Sequence, residues 1–186
     1  HAQQQKRKRY QQYIEQGDQA FNDESWPRAK EAYTQALDIR PGESYPGDQI
    51  RKIDQILSRR RMKQQKYEAA VKEGDRYFES EKYIMARDAY QQALEIKPGQ
   101  SYPDRQIDKI EEILAKRKAQ DRRYEALIQS ADEAFNKQQY EASREDYRQA
   151  LKIKPQREYP KQQLDLIRGR LAKAEQKEQA RKNYQD

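Results

Sequence analysis

The sequence predicts an all-α fold: three tandem helical repeats, each with an added third helix, in an elongated right-handed or rod-like solenoid. Three observations predict it. The 186-residue chain is 38% charged and only 34% hydrophobic, with a mean hydropathy of −1.50. An ordinary globular domain is roughly 45–50% apolar, so one large core is excluded. Fourteen tyrosines, regularly placed, argue against disorder, which is poor in aromatics. Most directly, Tyr10, Tyr67 and Tyr124 stand 57 residues apart and each opens a matching segment. A fixed period of that order marks an array of small repeated cores.

The period divides the chain into a basic lead-in at 1–9, repeats at 10–66, 67–123 and 124–180, and a tail at 181–186. These form one repeat domain overall. The first residue is not Met, which suggests a piece of a larger protein.

Within each repeat the elements follow in order. Helix A is expected from about Tyr10 to Phe21, with Ile14, Gly17 and Phe21 at helical spacing. Gly17 and Gly74 sit mid-helix, where glycine costs about 1 kcal/mol relative to alanine. Close approach of a second helix would offset that cost. Helix B is expected from about Trp26 to Ile39, packing through Ala29, Tyr33, Ala36 and Leu37 and ending before Pro41. Next come PGESYP, PGQSYP and PQREYP, in which Pro46, Pro103 and Pro160 fit the first helical position. A tyrosine before proline is pushed out of the α region. Helix C then carries Ile50, Ile53, Ile56 and Leu57, and in the second copy Ile107, Ile110, Ile113 and Leu114. Neither Gly nor Pro occurs from Asp48 to Glu73, so helix C should run into the next helix A. That makes one helix of roughly 33 residues and about 50 Å, and the same holds from Asp104 to about Asn136.

Helices A and B resemble the tetratricopeptide repeat. The residues that carry the resemblance are Gly17, Trp26, Ala29, Tyr33, Ala36 and Pro41 in the first copy. The second has Gly74, Tyr83, Ala86, Tyr90, Ala93 and Pro98; the third has Ala131, Tyr140, Ser143, Tyr147, Ala150 and Pro155. The added helix C with its Tyr-Pro entry departs from the usual repeat and resembles an extended type found in bacterial cell-envelope and scaffold proteins. That likeness is the only pointer to a compartment, the periplasm or cell envelope. Units joined by a shared helix, much as in spectrin-type rods, would make an array more elongated than a standard superhelix.

The resemblance implies a non-catalytic scaffold for protein–protein interaction, or a spacer in a larger protein. It also implies a peptide groove lined by helix A, here at Ile14, Asp18 and Phe21, at Val71, Asp75 and Phe78, and at Ile128, Asp132 and Phe135. The Lys/Asn clamp by which some members hold a terminal carboxylate is absent. Either the groove is open to a peptide, or helix C fills it with its own isoleucines.

Catalysis finds little support. There is no Cys, the one His is residue 1, and the serines lie outside any nucleophile context. Asp18, Asp75 and Asp132 recur once per repeat, and one carboxylate per unit makes no acid–base pair. No metal-spaced cluster or phosphate loop occurs. The reading is therefore no enzyme, no cofactor, no metal and no small-molecule substrate. No apolar run approaches a membrane span, and no signal-peptide core is present.

The charge is uneven. Basic blocks fall at Lys6–Arg9, at Arg59, Arg60, Arg61, Lys63 and Lys66, and at Lys116, Arg117, Lys118, Arg122 and Arg123, each just upstream of a repeat-opening tyrosine. One reading is an interaction surface for an anionic polymer (nucleic acid or a cell-wall polymer) or an acidic membrane surface, in an alternative function as a polyanion-binding rod. The other is that a helix exposed on all sides must be polar throughout. Tyr33, Tyr90 and Tyr147 are expected in the core. Tyr45, Tyr102 and Tyr159 should cover the B–C corner with their hydroxyls on water or backbone.

Overall fold

A computed structural model describes residues 1–183. Among those residues the protein is all α: α1 (Ala2–Asn22), α2 (Trp26–Ile39), α3 (Ser44–Glu79), α4 (Tyr83–Ile96), α5 (Ser101–Asn136), α6 (Tyr140–Ile153) and α7 (Glu158–Asn183). It is a helical repeat fold. The chain divides into two compact units, residues 1–107 and 108–186.

The basic lead-in is helical, continuous with helix A in α1. Of the tail at 181–186, residues 184–186 lie outside the described residues, and the rest extends α7. Helices α3 and α5 each run unbroken for 36 residues, about 54 Å at 1.5 Å per residue. Each joins helix C of one repeat to helix A of the next.

The turn from A to B is the same in all three copies, and its chemistry is unusual. Ser25 N–H donates to the Ala20 carbonyl at 2.8 Å and Glu24 N–H to that of Phe21 at 3.1 Å. These are the two bonds of a Schellman cap, which satisfies carbonyls left over at a helix end. Its left-handed residue, ordinarily glycine, is Glu24 at φ 53°, Glu81 at φ 56° and Gln138 at φ 62°. The ring flanking the turn on each side closes it edge-on: Phe21 on Trp26 at 5.1 Å, Phe78 on Tyr83 at 5.5 Å and Phe135 on Tyr140 at 5.6 Å.

The entry to helix C corrects one expectation. Pro46 is the third residue of α3, not the first, and Tyr45 before it is helical. Proline fits there because none of the first four helical N–H groups has an intrahelical partner. Pro46, Pro103 and Pro160 are fully buried, so each packs as a side chain as well as opening a helix.

In the first unit, Trp26, Ala29, Tyr33 and Ile53 form one core, with Ile14, Phe21, Ile50 and Ile56 packed against it. Leu57, expected on the apolar stripe, is instead 38% exposed. Lys30 on α2 pairs with Asp54 on α3 at 2.6 Å. The contact of α3 with α4 is tight: Gly74 lies against the buried ring of Tyr90, as Gly17 does against Tyr33. In the second unit, Ala131, Tyr147 and Ile167 form the core, joined by Ile128, Phe135, Leu164 and Leu171. Ala131 stands there in place of glycine, and the buried Ser143 hydroxyl donates to its carbonyl at 2.8 Å.

Candidate interaction surface

The groove positions decide what surface is left for a partner. Asp18 on α1 accepts two hydrogen bonds, from the hydroxyls of Tyr33 on α2 and Tyr45 on α3, both at 2.7 Å. Asp75 takes the same pair from Tyr90 and Tyr102 at 2.6 and 2.7 Å. Asp132 takes them from Tyr147 and, at 2.7 Å, from Tyr159. The two rings of each pair meet edge-on, about 6 Å apart between centroids. Thus one carboxylate ties helices A, B and C together. The hydroxyls of Tyr45, Tyr102 and Tyr159 go to a side chain, not to water or backbone as expected.

Burial, then the bond to Asp18, holds the Tyr33 phenol protonated far above the usual tyrosine range. Tyr90 and Tyr147 are raised in the same way and for the same first two causes. The bond to Asp18, then burial, raises Tyr45. Phenols held protonated in this way are cross-links, with no reactive oxygen to offer.

The apolar groove residues are also taken. Ile14 and Phe21 pack on the core that contains Ile53, and Ile128 and Phe135 on the core that contains Ile167. In the first and third repeats these groove residues pack on a core to which helix C contributes Ile53 or Ile167. Asp75 is engaged by its two tyrosines, and Phe78 sits edge-on against Tyr83.

The repeat-opening tyrosines have a role that sequence reasoning missed. Arg40 lies 5.0 Å above the ring of Tyr10, Lys97 5.5 Å above Tyr67, and Lys154 4.7 Å above Tyr124. Lys154 also pairs with Asp121 at 2.6 Å. Each cation caps helix B and is followed by the closing proline, so the end of B is stacked on the start of A by a cation–π contact. The signal was present: a cation precedes Pro41, Pro98 and Pro155 in every copy.

The structure places the ten block cations on exposed helix surface, in two stretches of α3 and α5. Arg60 has a structural partner set: it bonds Glu24 at 2.7 Å and lies 5.4 Å over the Trp26 ring. Lys116 pairs with Glu112 at 2.8 Å, one turn away. Arg117 is likewise engaged. Arg59, Arg61, Lys63, Lys66, Lys118, Arg122 and Arg123 reach solvent.

Among the open grooves on the first unit are two between paired helices. One, of about 780 Å³ between α1 and α2, has a small-residue floor of Ala20 and Ala32 and walls including Gln12, Gln16, Glu15 and Glu31. The other, about 460 Å³ between α3 and α4, includes Tyr77, Met85, Glu73 and Glu95. Among the described residues no cluster of metal-ligating side chains occurs, and no helix is long and apolar enough to cross a membrane.

No curated protein matches the chain significantly. The stretch that contains Ala131, Tyr140, Ser143, Tyr147, Ala150 and Pro155, residues 124–157, matches the family model of the tetratricopeptide repeat.

Proposed function

We propose that this chain is a non-catalytic protein–protein interaction scaffold, or a spacer module of a larger protein. It is built from three tetratricopeptide-like units at 10–66, 67–123 and 124–180, each extended by a third helix of the cell-envelope type. The observation that carries this reading is the family match over residues 124–157, because that repeat commonly holds protein partners. The apolar groove residues of the first and third units pack on cores shared with helix C, which supports a partner docking on the outer helix surfaces. An envelope location agrees with the extended repeat type.

A second reading, a rod that binds an anionic polymer or membrane surface, is supported by the block cations that have no structural duty. Affinity capture from lysate and envelope fractions at two salt concentrations separates the two. The control variant changes Arg59, Arg61, Lys63, Lys66, Lys118, Arg122 and Arg123 to Gln and leaves Arg60 in place. The scaffold reading expects one discrete protein retained by both forms at high salt, since a packed interface is less salt-sensitive than phosphate contacts. Polymer or lipid retained only by the unaltered chain at low salt, with no protein partner, overturns it.

A further inference from the structure

We propose that α3 carries a line of free cations, Lys52, Arg59, Lys63 and Lys66, that binds the phosphate backbone of a nucleic-acid strand. It goes beyond the scaffold reading by naming a ligand for one outer face.

Helical phase comes first. At 100° per residue these four side chains leave α3 within a sector of about 60°. They span 14 residues, about 21 Å of helix axis, so the mean interval between charges is about 7 Å. Arg61 points to the opposite side. All four are exposed, and among the described residues none has an ion pair or hydrogen bond. The carboxylates in line with the sector are Asp48 and Glu73, one at each end, paired with Arg51 and Arg76. None interrupts it between them. Asp54, in the same stretch, is turned away and held by Lys30.

The line is the remainder after structure has taken its share. Arg60, on the adjacent face, is held by Glu24 and Trp26. Lys52, Arg59, Lys63 and Lys66 are exposed on one continuous helix. Preorganised charge in a row binds a polyanion with little ordering cost.

The row is one free charge wide, bordered on one side by Gln55 and Met62, which is 54% exposed, and on the other by the engaged Arg60. It offers no apolar stripe to insert into lipid, which favours a linear polymer over a membrane. A nucleic-acid strand carries a phosphate every 3.4 Å of axis, so cations about 10.5, 6 and 4.5 Å apart along α3 fall at intervals of roughly three, two and one phosphates.

The test is fluorescence anisotropy with a labelled 20-base-pair duplex and the full chain, from low to moderate salt. Four contacts give a slope of log Kd against log salt of about 3.6. Arg59→Gln with Lys63→Gln should weaken low-salt binding at least tenfold and lower the slope by about 1.8. A matched pair on the far side of the helix, Arg61→Gln with Lys72→Gln, should change binding less than twofold. Circular dichroism confirms that both variants keep their helices. Equal losses from the two pairs overturn the line, as does no duplex binding at low salt. Binding to vesicles of anionic lipid without binding to duplex overturns it too. Each of those results leaves the scaffold reading intact, because a protein partner retained by the stripe variant is a separate observation.

Discussion

The glycine at the A–B crossing gives the most direct test of how the units are packed. Consider Gly74→Ala. A methyl built on Gly74 would lie 2.6, 2.7 and 2.9 Å from Cε1, Cδ1 and Cζ of Tyr90. Carbon atoms at rest stand ~3.5–4.0 Å apart, so something must yield by about 1 Å. The ring is poorly placed to do so. It is 1% exposed, its hydroxyl is 2.6 Å from Asp75, and its edge meets Tyr102 at 6.2 Å. Either α3 and α4 move apart, or the phenol swings off the carboxylate.

Overpacking of this kind costs about 1–3 kcal/mol. Against it, alanine favours a helix over glycine by about 1 kcal/mol. The net expectation is a loss of about 0–2 kcal/mol, read as a lower urea midpoint by circular dichroism. Thermal melts should fall too, by about 2–4 °C per kcal/mol for a chain of this size. The third repeat provides the mirror experiment. Ala131 already carries the methyl beside Tyr147 and is fully buried, so Ala131→Gly relieves nothing and loses both helix propensity, about 1 kcal/mol, and a buried methyl, about 0.8 kcal/mol. Gly74→Ala that raises the midpoint would refute the close-packing argument.

Two further outcomes are expected. Gln138→Gly should raise the urea midpoint, since the left-handed Schellman position strains a residue with a side chain by about 1–2 kcal/mol; an unchanged or lower midpoint counts against the cap. The raised phenols of Tyr33, Tyr90 and Tyr147 bind their protons more tightly folded than unfolded, so their contribution is complete below pH 10 and shrinks as pH rises above it. Stability should then fall by up to about 4 kcal/mol per pH unit for the three together, and phenolate absorbance should show three late tyrosines that ionise only as the helices melt; early ionisation of all fourteen with helices intact is the contrary result.

Much of the fold was legible because the repeat imposes steric choices that single residues reveal. A glycine in mid-helix, alanines at three- and four-residue spacing and a closing proline each have few explanations. Their recurrence at 57 residues removes most of the rest, and the long α3 and α5 follow from the absence of a breaker. The A–B turn was harder to read because Glu24, Glu81 and Gln138 occupy the place where glycine would have signalled it. Pro46 was placed two positions too early in its helix, at the first residue instead of the third, for a similar reason. Proline is tolerated across the whole first turn, and only packing distinguishes those positions.

What stayed hidden are the partnerships between helices. Asp18 and Tyr45 are 27 residues apart, and a lone carboxylate per repeat reads as surface until three helices are assembled around it. The spacing was constant in all three copies, yet constancy does not say which atoms meet. The same holds for charge. Arg59, Arg60 and Arg61 are one run of identical side chains in the sequence, and composition treats them alike. Folding separates them: Arg60 is drawn to Glu24 across a turn whose left-handed residue aims that carboxylate, while Arg59 and Arg61 leave α3 on opposite sides. An interaction surface on such a protein is therefore not the sum of its basic residues but the subset that packing leaves unpaired and in phase. That subset becomes visible only once the other cations have been assigned to their structural partners.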